Sequence, residues 1–409
     1  MYDVYEIRKQ FPMLQGKTMQ AKPLVYLDNA STTFKPQCVI DAIESYYKEL
    51  NANAHRGDYD LMYKMDVAIQ KTRETIAKFV NCEPNEVVFT SGDTMAINLV
   101  AWGYGHKFLK PGDEILLDVA EHASNILPWY QIAKLNGAVV KFVPLGKDGY
   151  VTPETLKEVI SNKTKIVSLA ITSNVLGQTI DVKKIAAIVH SFGAIFVADG
   201  AQSVPHMPTD FKGDDIDLLA ISGHKMCGPT GIGCLIGKYE ILESMDPFLV
   251  GGGMNVDFDT EMHMNPLPTP AKFEAGTQNL AGIVGLKRAV EFLMEIGVEN
   301  IHQHEVELIE YARKKLENFD NIIIYNKTAQ SGVLTFNIKG VFSQDEATLL
   351  NSKGIAVRSG QHCAKVLDRF LNTNATVRAS FYLYTTKEEV DVLIDALING
   401  GDILDAYFN

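Results

Sequence analysis

The chain is short of positive charge. Its 38 lysines and arginines stand against 50 aspartates and glutamates, a net charge of −12 over 409 residues. Nucleic acids and anionic membrane surfaces are polyanions, so this balance argues against a protein that holds either by bulk electrostatics. Any anionic ligand must be held by local positive charge. Cysteine is scarce as well: Cys38, Cys82, Cys227, Cys234 and Cys363 are odd in number and lack CxxC spacing. That pattern speaks against a disulfide framework or a zinc cage, and no metal site is expected. A long apolar run is missing too. The richest stretch, around 185–205, is interrupted by His190 and Asp199 and falls short of the ~20 apolar residues of a spanning helix. The opening Met-Tyr-Asp-Val-Tyr-Glu-Ile-Arg has neither the basic nor the apolar region of a signal peptide. A cytoplasmic, reduced protein with no membrane and no nucleic-acid partner is expected.

What is present is an ordinary globular composition, 46% hydrophobic and 22% charged, long enough for two or three domains. Short runs rich in Val, Ile and Leu alternate with amphipathic stretches. Val87–Thr90, Glu114–Asp118, Val139–Val143, Lys165–Thr172 and Ala194–Ala198 read as strands, with helices at 95–104, 125–136 and 181–192 between them. This alternation indicates βαβ units and a mostly parallel sheet. Leu218–Ile221 and Gly233–Ile236 lie too close together for a crossover helix, so they should run antiparallel. Residues 251–276 are rich in Gly, Pro and Asn and read as an irregular functional loop. A helical tract follows at 280–318, then strands at 321–325, 333–338 and 355–358, and a closing helix at 387–398.

Three segments carry chemistry. In Ile221-Ser-Gly-His-Lys225, a lysine ends a buried strand inside a Gly-rich turn; desolvation there would lower its pKa and make it an amine nucleophile. Taken alone, the segment suits an ordinary solvent-facing lysine better. Phe196-Val-Ala-Asp199-Gly-Ala-Gln202 places an Asp at the end of a buried strand. An Asp there needs a cationic partner, such as a protonated pyridine nitrogen, or serves as an N-cap or metal carboxylate. Thr90-Ser-Gly-Asp-Thr94 joins a strand to a helix whose N-terminus suits a phosphate, or is simply an N-cap. The residues by themselves reach a phosphate-anchored carbonyl cofactor on an α/β sheet.

The ordered set Thr90-Ser-Gly-Asp-Thr94, Glu121-His122, Ser173-Asn174, Ala198-Asp199-Gly-Ala-Gln202, Ser222-Gly-His-Lys225 and Arg358-Ser-Gly-Gln-His-Cys363-Ala resembles the pyridoxal-phosphate cysteine desulfurases, SufS-like branch, of the class V aminotransferases. The resemblance implies a fold type I α/β architecture: a large domain with a mostly parallel sheet and helices on both faces, and a smaller α+β C-terminal domain. It places an N-terminal segment, 1–20, against the small domain, the cofactor domain at 21–285 and the small domain at 286–409. It implies that Lys225 carries the cofactor and moves protons, that Asp199 holds the pyridine nitrogen, and that His122 stacks on the ring and serves as a catalytic acid/base. Asn174 and Gln202 would reach the phenolic oxygen, and Thr94, Ser222 and His224 the phosphate. Thr277 would reach the phosphate of a partner subunit, which implies a homodimer. Arg378 would clamp the substrate carboxylate, assisted by Arg358, with Asn174 also binding substrate and His55 and Arg56 near the mouth. Cys363, in a polar turn near Arg358 that favours a thiolate, would take sulfur from L-cysteine as a persulfide. Alanine would leave, and an acceptor or scaffold protein would receive the sulfur for iron–sulfur clusters or another sulfur cofactor. Selenocysteine lyase, or another class V pyridoxal-phosphate enzyme, is the alternative. Asp93, Met95, Gln278, Thr385 and Gln344 depart from the family pattern, and Gln344 puts a zinc-bearing scaffold partner in question.

Overall fold

A computed structural model describes residues 2–54 and 58–400. His55 and Arg56 lie outside the described residues. The larger sheet has seven strands: β1 (Val87–Thr90), β2 (Glu114–Asp118), β3 (Val139–Val143), β4 (Thr164–Ala170), β5 (Ile195–Asp199), β6 (Leu218–Ser222) and β7 (Gly233–Gly237). Their order is β1-β7-β6-β5-β4-β2-β3. Strands β2 to β6 pair in parallel, and β7 runs antiparallel to both β6 and β1. The turn at 223–232 is too short for the dozen or so residues that a parallel crossover needs, and this fixes the direction of β7.

Side chains alternate between two cores, as the pleat dictates. Leu116, Val167, Phe196, Ala198, Leu219 and Ile221 pack on one side. Ile115, Leu117, Ile166, Val197, Leu218 and Ala220 pack on the other. Helix α1 (Asp93–Val100) and helix α2 (Leu127–Asn136) cover the second side through Ile97, Val100, Trp129 and Ile132; helix α3 (Leu280–Ile296) covers the first through Ile283, Leu286 and Val290. A sheet sealed on both faces explains why its central strands read as nearly continuous apolar runs.

The helical tract at 280–318 is two helices, not one. Gly297, at φ +86°, ends α3 and starts α4 (Val298–Leu316). That backbone angle suits glycine and few other residues. The segment at 251–276 is less irregular than its composition suggests. It forms an exposed hairpin of β8 (Asn255–Phe258) and β9 (Met264–Pro266), outside both cores.

A second, four-stranded antiparallel sheet has the order β10 (Ile322–Ile324), β11 (Val333–Ile338), β13 (Thr376–Ser380), β12 (Arg358–Gly360). Helices α4, α5 (Ser343–Ser352) and α6 (Lys387–Asn399) pack against it through Leu308, Leu350, Val390 and Leu393. The N-terminal part of the chain joins this unit. Val25–Tyr26 pairs in parallel with Ile355–Ala356, Ser380 N–H donates to the Leu27 carbonyl at 2.7 Å, and Arg8 meets Glu389 of α6 at 2.8 Å.

Glu346 of α5 is fully buried with Oε1 unpartnered among the described residues, and Oε2 accepts from Ile338 N–H at 3.2 Å. Burial raises its carboxyl to about 8. Below pH 4 the acid is neutral in both the folded and unfolded states. As pH climbs from 4.5 to 8 the unfolded chain releases this proton while the folded chain keeps it, so stability falls across that window. The loss is up to about 5 kcal/mol. Glu346→Gln should therefore match the parent at pH 5 and melt several degrees higher at pH 8 in a thermal unfolding series. A constant gap at all pH values would contradict this.

Candidate active site

The carboxyl ends of the parallel strands open on one cavity of about 460 Å³. Open α/β sheets collect ligands at this edge. After β5 come Asp199 and Gln202; after β6, Ser222, His224 and Lys225; after β1, Gly92 and the first residues of α1; after β4, Asn174; after β2, His122. The second sheet contributes Arg358 and Arg378. Ten of the residues singled out from the sequence therefore share one wall: Thr94, His122, Asn174, Asp199, Gln202, Ser222, His224, Lys225, Arg358 and Arg378.

Lys225 lines this cavity, and burial lowers its pKa; the carboxyls of Asp199 and Asp93 oppose the shift, while Arg378 and Arg358 add to it. His122 Nδ1 accepts from Ser124 N–H at 3.1 Å, which leaves the proton of the neutral ring on Nε2. Burial first, then Lys225, lowers its pKa to about 4, and burial brings His224 to about 4 as well. Both imidazoles are neutral near pH 7 and do not add to the positive charge. Behind His122, Glu121 is buried; it accepts from Asn125 Nδ2 at 2.8 Å and from Ala170 N–H at 2.6 Å, tying this turn to β4.

At the β1–α1 junction the backbone is tightly packed. A Cβ on Gly233 would stand 2.6 Å from Gly92 Cα, so β7 presses directly on the turn. Thr94 Oγ1 lies 2.7 Å from Ser124 Oγ. The free N–H groups of the helix end, with Ser222 and Thr94, form a polar pocket suited to a phosphate. An amine, a facing carboxylate, a neutral aromatic ring and this anion pocket fit a phosphorylated pyridine aldehyde.

Arg378 is fully buried. It donates to the Asn174 carbonyl at 2.9 Å, to Ser31 Oγ at 2.9 Å and to Asp28 Oδ1 at 3.1 Å. Its Nε has no partner among the described residues. Arg358 donates to the same Ser31 oxygen at 2.9 Å. The sequence reading missed Asp28 and Ser31; its one local signal was a polar Asp-Asn-Ala-Ser turn directly after a buried strand.

The amides of Asn174 and Gln202 are engaged elsewhere in this structure. Asn174 Nδ2 donates to the His362 carbonyl at 2.9 Å, and Gln202 Nε2 to the Ala30 carbonyl at 2.7 Å. Cys363 is exposed and does not line the cavity itself, but its carbonyl accepts from Ala123 N–H at 2.8 Å, next to His122. Arg358 Nη2 lies 3.9 Å from its sulfur. His362 and Cys363 are successive non-glycine residues at φ +50° and +59°, a conformation costing on the order of 1–2 kcal/mol each. By contrast, burial pushes the thiols of Cys82 and Cys227 up to about 12 and raises that of Cys234 further. Thr277 is exposed and outside the cavity. Its loop is anchored by Glu274, which pairs with buried Arg73 and accepts from Phe89 N–H at 2.8 Å.

Residues 25–393 match the family model described as aminotransferase class-V. A protein of Halalkalibacterium halodurans named probable cysteine desulfurase is 46% identical over 396 residues, covering 97% of each chain. The crystal structure of the Escherichia coli cysteine desulfurase CsdA superposes with a TM-score of 0.91 at 36% identity, covering 98% of each chain. The apo structure of a cysteine desulfurase from Thermococcus onnurineus gives the same TM-score at 34% identity, covering 97% of each.

Proposed function

We infer the roles of individual residues from one premise: the chain belongs to the class-V aminotransferase family and is a pyridoxal-phosphate cysteine desulfurase, an enzyme of L-cysteine. When bound, pyridoxal phosphate supplies an aldehyde for the amino group and a sink for the electron pair left at Cα.

The rest falls to the chain. Lys225, biased toward the neutral amine by burial, holds the aldehyde carbon between turnovers and carries the Cα proton during them. Asp199 would hold the ring nitrogen and keep its proton in place. His122, neutral, would stack on the ring and present Nε2–H. Gln202 and Asn174 would reach the phenolic oxygen with the amide hydrogens left over from their bonds to the Ala30 and His362 carbonyls. Thr94, Ser222, His224 and the start of α1 take the phosphate, and Thr277 takes that of a partner subunit. Arg378 receives the substrate carboxylate with Arg358 beside it. Cys363 then forms a bond to the substrate sulfur as the carbon–sulfur bond breaks, and protonation of the three-carbon remainder gives L-alanine. The observation that carries this reading is that Lys225 and Asp199, from adjacent strands, line one cavity to whose wall the Cys363 loop is tied.

The test is to incubate the purified protein with L-cysteine and a thiol reductant and quantify alanine and sulfide together. Equimolar release is expected. A cofactor-loaded protein that yields neither product would overturn the substrate assignment.

Arg378 acts through geometry. Asp28, Ser31 and the Asn174 carbonyl fix the plane of its guanidinium fork and leave Nε–H free for a carboxylate. Arg378→Lys keeps the charge and loses that fork. It should raise KM for L-cysteine roughly 10- to 100-fold, with a smaller change in kcat; steady-state kinetics decide this.

We further propose a homodimer. The hairpin β8–β9 exposes Phe258 at 76% and Met262 at 95% of their surfaces, and Thr277 sits exposed on a loop close by in the chain. Such apolar exposure calls for a covering surface. Light scattering should give twice the 45.2 kDa chain mass; a monomer at micromolar concentration would refute it. Among the described residues, no helix is long and apolar enough to cross a membrane. We place the enzyme in the cytoplasm, passing its sulfur to an acceptor or scaffold protein of sulfur-cofactor assembly, such as iron–sulfur clusters. Fractionation and capture of the sulfur-loaded enzyme test these points.

A further inference from the structure

Asp93 is the first residue of α1 and lines the cofactor cavity. It is only 8% exposed, and its Oδ1 has no hydrogen-bond partner among the described residues. Two charged groups from other elements face it: Asp199 at the end of β5 and Lys225 beyond β6. Arg358, Arg378, His122 and His224 line the same cavity.

Ionising both carboxyls would put two negative charges side by side on a poorly solvated wall, opposed chiefly by one amine that burial itself biases toward neutrality. The N-terminus of α1 favours an anion at Asp93, but this effect is small beside the penalty of burying a charge with an unsatisfied oxygen. Burial and the neighbouring Asp199 accordingly hold the Asp93 carboxyl well above the usual range, with Lys225 as the opposing influence.

We propose that Asp93 works as a neutral carboxylic acid that donates its proton in a hydrogen bond to Asp199, and so fixes the carboxylate facing the cofactor's ring nitrogen. It is a positioning residue, and its role rests on the assignment of Asp199 made above. A neutral Asp93 also spares the phosphate pocket at the same helix end a competing negative charge.

The test uses the holoenzyme and two variants. Asp93→Asn keeps size and a donor but cannot ionise. Asp93→Leu keeps bulk and loses the donor. The readouts are the visible absorption of bound pyridoxal phosphate and its dissociation, each followed from pH 6 to 9. Asp93→Asn should track the parent at every pH. Asp93→Leu should release cofactor on the order of tenfold more readily, as expected for losing a hydrogen bond to a charged group, with the pH course of the visible band displaced. A parent that loses cofactor as pH rises while Asp93→Asn stays level would show an ionised Asp93 and overturn the proposal. So would an Asp93→Leu protein indistinguishable from the parent. If Asp93→Leu does not fold, the parent and Asp93→Asn decide alone: superimposed pH courses support the neutral acid and diverging ones refute it. A parent chain that binds no pyridoxal phosphate would instead defeat the functional assignment beneath it.

Discussion

Replacing Lys225 with alanine is expected to lower alanine formation from L-cysteine by ~10³-fold or more, the scale of removing both a covalent anchor and a proton carrier. No second amine lines the cavity among the described residues. Lys35 is the nearest rival; burial lowers it to about 8. Its Nζ, however, is bound to the carbonyls of Thr33 and of His224 at 3.0 Å, and Lys35 does not line the cavity. The variant should still fold, since the Lys225 amine makes no hydrogen bond among the described residues and the turn is closed by backbone bonds of Gly223 and Gly228. Quantifying alanine under saturating cofactor is the check. Retention of a tenth of parental activity would move the proton-transfer role to another residue.

Replacing Cys363 with serine is expected to remove enzyme-bound sulfur while leaving cofactor binding intact. Intact mass after a brief exposure to L-cysteine should show one added sulfur on the parent and none on the variant, and sulfur delivery should fall at least ~10²-fold. The other four thiols are poor substitutes. Cys82, Cys227 and Cys234 are buried, with their thiols pushed up, and Cys38 is half-buried with its pKa also raised. Serine tolerates the left-handed backbone of residue 363 as well as cysteine does, so geometry is not the variable. Sulfur found on another cysteine of the variant would overturn the assignment.

The sequence made much of this visible for identifiable reasons. Val87–Thr90, Glu114–Asp118, Val139–Val143 and Val333–Ile338 coincide with their strands because each apolar run is bounded by residues that end strands. The antiparallel β7 followed from loop length alone. The motif residues at strand ends came together because parallel strands share one carboxyl edge. What stayed hidden was long-range. Asp28 meets Arg378 across 350 positions, and no local pattern announces that contact. The tie between the Cys363 carbonyl and Ala123 is a backbone bond, blind to side-chain identity. The amide orientations of Asn174 and Gln202 depend on carbonyls from other segments. Asp93 registered only as an unusual residue, because the groups that act on it, Asp199 and Lys225, come from other segments of the chain.

The pairing of Val25–Tyr26 with Ile355–Ala356 has a consequence for how the protein is made. These strands are separated by some 330 residues of chain, and at ribosomal speeds of ~5–20 residues per second the first waits on the order of tens of seconds for the second. The seven-stranded sheet is complete in sequence well before then and can form during synthesis. The contact of Asp28 and Ser31 with Arg378 closes late, once the second sheet has been made. Until it does, Val25 and Leu27, both buried in the finished fold, remain exposed on a nascent edge, a natural binding point for a chaperone.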